Sequence, residues 1–161
     1  DLIIVIPAGN HPLKESADAH HRLAMTRLAF GGDENFRVSD IEAVGADEKN
    51  YTVDTLQKLR IETGKEAELC LLIGADNLIQ LPKWKEPERL FELAEVAVML
   101  RPGADISDAD EKFLSRSLTV NIPQLEISSS EIRNRIAQGR SVKYMTDEAV
   151  LNYIREHGLY K

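Results

Sequence analysis

The densest chemistry in the chain is the run Ile127-Ser128-Ser129-Ser130-Glu131-Ile132-Arg133. Its three hydroxyls follow a strand-like stretch and open a helix-like one, with Arg133 about one turn in. Free backbone N–H groups, the positive helix end and a guanidinium would together make a phosphate site. The same residues also serve structure, because Ser128-x-x-Glu131 is a capping box and needs no ligand. The two uses are compatible, since a capping side chain can swing toward a ligand.

Three further segments could do chemistry, each with a structural alternative. In "LLIGADNL" (71–78), Gly74 at a strand end would let a ligand approach the backbone, and Asp76 could accept bonds from ribose hydroxyls. Asp76 could equally cap the short helix that follows. In "NYTVDTL" (50–56), Asn50 or Thr52 opens a helix whose free N–H groups would suit a carboxylate; a plain N-cap with Tyr51 packed on the domain is the alternative. In "LPKWKEP" (81–87), Trp84 could stack on a planar ring with Lys83 and Lys85 supplying charge, or simply anchor its loop.

The histidines offer less. His20 and His21 are adjacent, so on a helix they diverge by about 100° and would not share a metal. His157 falls in the last turn of a helix, where a cation suits the dipole. Only His11, in the loop after the first strand, lies near a possible active face. No Gly-x-Ser-x-Gly elbow, Walker loop or zinc spacing occurs, and no site for a bound metal is expected. The Rossmann dinucleotide fingerprint is missing too, which disfavours a nicotinamide-dependent dehydrogenase.

These segments must be held by strands that alternate with helices. "LIIVI" (2–6), the weaker "FRVSDIE" (36–42), "LCLLI" (69–73), "VAVML" (96–100) and "LTVNI" (118–122) read as strands. Helical spacing runs from about Asp18 to Phe30, with Leu23 and Leu28 on its apolar side. It recurs from Thr52 to about Thr63 through Val53, Leu56, Leu59 and Arg60, and from about Asp147 to His157 with Gly158 as C′. Continuous apolar strands imply burial on both faces. The expected fold is α/β: one open, doubly wound, mainly parallel sheet with helices on both faces, over residues 1–161 as a single domain. The polar stretch 103–112 reads as a surface excursion within it.

Composition agrees. The 161 residues are 43% hydrophobic and 29% charged, and 20 Lys+Arg against 27 Asp+Glu give a net charge of −7. The acidic balance argues against a protein that wraps nucleic acid, and no apolar run approaches the roughly 18 residues of a membrane span. Cys70 is the only cysteine, so no intrachain disulfide can form, and within "ELCLLI" it reads as a small buried hydrophobe. No signal-peptide pattern is present, and a cytoplasmic location is expected. The chain starts on "LIIVI" directly after Asp1, which reads as an N-terminal truncation.

In order, the blocks "IPAGNHPLK", "NYTVDTLQKL", "LLIGADNLIQLPKWKEPERL", "VMLRPG", "ISSSEIRNRI" and "VLNYIREHGLY" resemble the bacterial nicotinate-mononucleotide adenylyltransferases, over nearly the whole chain. The resemblance implies a Rossmann-like nucleotidyltransferase fold and adenylyl transfer from ATP to nicotinate mononucleotide, giving deamido-NAD and pyrophosphate. It implies Ser128, Ser130, Arg133 and Lys14 at the ATP phosphates, Gly74 and Asp76 at the adenosine, and Tyr51, Thr52 and Trp84 around the nicotinate. Mg²⁺ would come with ATP, with no tightly bound cofactor. The partners implied are the two small substrates, with neither nucleic acid nor membrane, and a homo-oligomer stays open. The family's Gly-x-Phe-x-Pro-x-His-x-Gly-His motif does not occur in these 161 residues, so no catalytic residue is assigned and this stretch alone is expected to be inactive. The competing readings are a sibling nucleotidyltransferase acting on nicotinamide mononucleotide or phosphopantetheine, and a non-catalytic nucleotide-binding remnant.

Overall fold

A computed structural model of the chain describes residues 1–9, 17–43, 50–123 and 125–161. In chain order the elements begin β1 (Ile3–Val5), α1 (Ala19–Phe30), β2 (Phe36–Val38), α2 (Thr52–Thr63), β3 (Cys70–Gly74) and α3 (Ala75–Gln80). They continue α4 (Pro87–Leu93), β4 (Glu95–Leu100), α5 (Glu111–Leu114), β5 (Leu118–Asn121), α6 (Ser129–Ala137) and α7 (Glu148–Glu156). A single 3-10 turn, Leu81–Lys83, joins α3 to the Trp84 loop. Two compact units result, Asp1–Asn50 with Glu126–Lys161, and Tyr51–Leu125.

In the unit formed by Tyr51–Leu125, three parallel strands lie in the order β3-β4-β5, with Ile73 opposite Val98 and Val98 opposite Thr119. β4 is paired on both edges, and Val96, Ala97 and Val98 within it are buried. α3 and α4 pack on it through Leu78 and Leu90, which expose no surface. Each side chain so buried contributes roughly 1.5–3 kcal/mol relative to exposure. α2 runs over the predicted residues and presents Val53, Leu56 and Leu59 at helical spacing, all buried. Arg60, on the same stripe, turns its guanidinium to the carbonyls of Ala67 and Leu93.

In the other unit, β1 and β2 pair in parallel, with Ile3 opposite Phe36 and Val5 opposite Val38. α1 packs on β2 and on α7. Asp147 caps α7 by accepting from the Ala149 N–H at 2.7 Å, and Gly158 follows its end with φ 61°, the left-handed C′ geometry expected from the sequence. Gly9, after β1, is buried; a Cβ there would meet the Asn50 amide at 2.1 Å and the Glu42 carbonyl at 2.9 Å.

Parallel strands alternating with helices are as expected, but burial on both strand faces is reached only by Val96, Ala97 and Val98 of β4. Leu72 in β3 is 51% exposed, and all four residues of β5 are exposed. Cys70, expected inside, is exposed, because it starts β3 on the same face as Leu72. Burial still pushes its thiol pKa up, with the Glu95 carboxylate adding to the effect. On α1, Leu28 is also exposed rather than on a buried side. β2 stops at Val38, shorter than "FRVSDIE" suggested. The polar stretch 103–112 is largely exposed and ends in α5, whose start Asp110 caps.

Candidate active site

α6 begins at Ser129, with Ser128 as its N-cap. The Ser128 hydroxyl accepts the Glu131 N–H at 3.1 Å, so the capping half of the Ser-x-x-Glu pattern is realised. The reciprocal half is not, since the Glu131 carboxylate lies 3.6 Å from Arg135. One turn in, Arg133 donates through Nη2 to the Ser130 hydroxyl at 3.1 Å. Ser128, Ser130 and Arg133 are thus gathered at an exposed helix start, where N–H groups and the positive helix end face outward. Arg133 also lines an open cleft of about 580 Å³ with Asn134, Ala137 and Tyr160; the serines are not on its wall.

Gly74 ends β3 and is the N-cap of α3, at φ −85° and ψ 166°. That is extended backbone open to any residue, and a Cβ built there meets nothing within 4 Å. Neither backbone conformation nor packing therefore requires a glycine. Asp76 stands in the first turn of α3, exposed, and makes no capping bond. The capping role open to it in the sequence is not the one it adopts.

The start of α2 differs from a plain cap. Its N-cap is Tyr51, whose side chain makes no capping bond, and intrahelical bonding begins with the Asp54 and Thr55 N–H groups donating to the Tyr51 carbonyl. Asn50 instead donates to the Glu42 carbonyl at 3.0 Å. Thr52 and Val53 lie ahead of that first bond; Val53 is buried, which leaves the half-buried Thr52 as the residue whose N–H an anion could reach. Tyr51 is exposed rather than packed down.

Trp84 follows the 3-10 turn in extended backbone and is half-buried. The next residue, Lys85, reaches the α2 start: its Nζ lies 2.9 Å from both Asp54 carboxylate oxygens and 4.9 Å above the Tyr51 ring. The Asp54 carboxylate, hydrogen-bonded to it, holds the Lys85 ammonium above the usual lysine range. Glu86, at φ 48°, turns the chain from this loop into α4.

The expected site residues are therefore divided between units. Ser128, Ser130 and Arg133 belong to one, and Gly74, Asp76, Tyr51, Thr52 and Trp84 to the other. Lys14 and His11 lie outside the described residues. His20 and His21 do not diverge: their ring centroids are 3.9 Å apart, because rotamers bring together what the helix angle separates. His21 is hydrogen-bonded to the Tyr153 hydroxyl at 2.9 Å, with the His157 ring 5.1 Å away. Its pKa is lowered, first by desolvation and then by His20 and His157. Among the described residues no group of three or more His, Cys, Asp or Glu is placed to hold a metal ion.

Two side-chain partnerships were not legible in the sequence. Arg22 donates to the carbonyls of Ala8 at 2.7 Å and Gly9 at 2.8 Å, and also to that of Ala17. Its helical neighbours carry no hint of this. Lys85 could be noted as a charge beside Trp84, but its partner Asp54 stands 31 positions away.

The description "Cytidylyltransferase-like" matches residues 1–135. A probable nicotinate-nucleotide adenylyltransferase of Roseiflexus sp. (strain RS-1) is 43% identical over 100% of this chain and 83% of its own length. The chain belongs to the cytidylyltransferase-like family. Further relatives bear the same name: that of Thermomicrobium roseum is 39% identical over 99% of this chain and 77% of its own, and that of Chromobacterium violaceum 38% over 100% and 85%. The resemblance carried by the six sequence blocks is thereby borne out.

Solved structures agree on the fold of this family member. The Plasmodium falciparum nicotinic acid mononucleotide adenylyltransferase complexed with NaAD superposes with a TM-score of 0.76 at 22% identity, covering 99% of this chain and 82% of that one. The same enzyme complexed with APC gives 0.74. Among the described residues no helix is long and apolar enough to cross a membrane.

Proposed function

We propose that the protein transfers the adenylyl group of ATP to nicotinate mononucleotide, yielding deamido-NAD and pyrophosphate, as a cytoplasmic enzyme. The observation that carries this reading is the start of α6, where Ser128, Ser130 and Arg133 converge on an open helix N-terminus. The names of the relatives point the same way.

In such a transfer a phosphate oxygen of the mononucleotide attacks the α-phosphorus of ATP in line. The bond from that phosphorus to the bridging oxygen breaks, and pyrophosphate leaves with the electron pair. No covalent enzyme intermediate is needed, so the protein's task is positioning and charge stabilisation. Arg133 has donors left after its bond to Ser130 and presents them as a fork to phosphate oxygens. Ser130 fixes that fork, and the Ser128 hydroxyl, which accepts from Glu131, keeps its own proton to donate. Lys14 completes the phosphate set, and Mg²⁺ enters as the counter-ion of ATP.

Gly74 leaves room for the adenosine against backbone, and Asp76 offers its exposed carboxylate to the ribose hydroxyls. The N–H group at Thr52 receives the nicotinate carboxylate, while the Tyr51 and Trp84 rings border the pyridine.

The test uses the protein with its whole native chain, ATP and magnesium. Nicotinate mononucleotide, nicotinamide mononucleotide and phosphopantetheine are offered separately, and dinucleotide product and pyrophosphate are both measured. Preferential turnover of nicotinate mononucleotide is expected. Preference for either other acceptor would overturn the assignment, and binding without turnover would favour a non-catalytic remnant.

A further inference from the structure

The start of α2 poses an electrostatic problem that one residue outside the helix answers. Asp54 sits in the first turn, where a negative charge stabilises the helix. A carboxylate in that place also repels any second anion brought to the same N–H groups. Lys85 removes the conflict: its ammonium spans both Asp54 oxygens at 2.9 Å and lies over the Tyr51 ring at 4.9 Å. Both side chains are partly exposed, each 40%, so the field they shape reaches the solvent-facing end of the helix. Glu86, next to Lys85, adds to the field on its ammonium.

We infer that Lys85 is a specificity-determining residue, which neutralises Asp54 so that the α2 N-terminus accepts a carboxylate in preference to an uncharged carboxamide. The inference rests on the proposed reaction and deepens it. Lys85 acts through Asp54 and the helix end and is not a catalytic residue. A neutral amide at the same place feels little of the Asp54 charge, whereas a carboxylate feels all of it. Removing the ammonium therefore penalises the acid substrate selectively. The effect weakens as salt rises, because both groups are partly solvated.

The experiment compares kcat/KM for nicotinate and nicotinamide mononucleotides in the protein with its whole native chain, at low and high salt. Lys85→Met is expected to lower the acid-to-amide ratio about three- to tenfold at low salt, with KM for ATP unchanged. Asp54→Asn is expected to keep or raise the ratio, since the lysine is then uncompensated. The double variant is expected to return toward the unsubstituted ratio. Equal losses on both nucleotides in Lys85→Met would show a clip that only fixes the Trp84 loop and would overturn the inference. A lowered ratio in Asp54→Asn, or no recovery in the double variant, would overturn it too. Turnover of neither nucleotide by the unsubstituted protein would defeat the functional reading itself, and the inference with it.

Discussion

Arg133 Nη2 lies 3.1 Å from the Ser130 hydroxyl, within a single turn of α6. A guanidinium on three rotatable carbons is thereby held at the helix start before any phosphate arrives. Replacing Arg133 by Ala should lower kcat/KM for ATP about a hundredfold, the size expected on losing one preorganised charge donor. Arg133→Lys should recover little of this, since an ammonium lacks the planar fork. Steady-state kinetics with thermal melts as a folding control check this; a lysine variant near full activity would argue for a simple point charge.

The Ser128 cap and the phosphate contact proposed for its hydroxyl can be separated by substitution. Ser128→Ala loses the bond to the Glu131 N–H and should cost about 1 kcal/mol of stability. Ser128→Asp keeps a good cap and should retain stability, yet it places a negative charge where the triphosphate would bind. Urea titration and calorimetry with ATP on both variants give the two readouts. Unchanged ATP affinity in Ser128→Asp would move the phosphates away from this helix.

Gly74 and Gly9 should respond oppositely to alanine. Gly74 has an ordinary φ and open space about its missing Cβ, so Gly74→Ala should leave the melting temperature almost unchanged while weakening ATP binding. Gly9 has the Asn50 amide 2.1 Å from any added Cβ, so Gly9→Ala should destabilise the fold. If Gly74→Ala binds ATP as before, no ligand approaches that backbone.

Trp84→Ala should weaken binding of nicotinate mononucleotide more than binding of ATP. Its half-buried ring follows the 3-10 turn and precedes Lys85, which holds the α2 start, the place proposed for the nicotinate. Calorimetry on each ligand separately decides the matter. Equal losses would make the ring a loop anchor.

Stability should fall in acid partly through Glu88. Its hydrogen bond to Lys112, followed by that to Arg116, holds its carboxyl below the usual glutamate range. A folded-state pKa below the unfolded one adds stability that is complete above the unfolded value. That stability is lost as pH falls through the folded value. Urea midpoints between neutral pH and about pH 3 should drop less steeply for Glu88→Gln than for the parent, over the window set by carboxylate pKa values. Parallel profiles would show that the α4–α5 ion pairs carry no linkage.

Much of this molecule is local and was therefore readable. The α2 span, the last helix with Gly158 as C′ and the Ser128 cap follow from residues within a turn of each other, because helix ends are settled by nearby side chains and backbone sterics. The strand runs and their parallel pairing follow from apolar stretches separated by helical ones. The six ordered blocks carried the family.

Tertiary structure decided the rest. Apolar letters alone do not say which strand becomes central; β4 does, and so Val96 and Val98 are buried while Cys70 and Leu72 face out. Rotamers, not helix angle, brought the His20 and His21 rings together. Asp54 met Lys85, and Arg22 met the Ala8 and Gly9 carbonyls, through packing of segments distant in sequence. The physical reason is common to all: periodicity and capping depend on neighbours along the chain, whereas burial and ion pairing depend on neighbours in space, which exist only once the segments have packed.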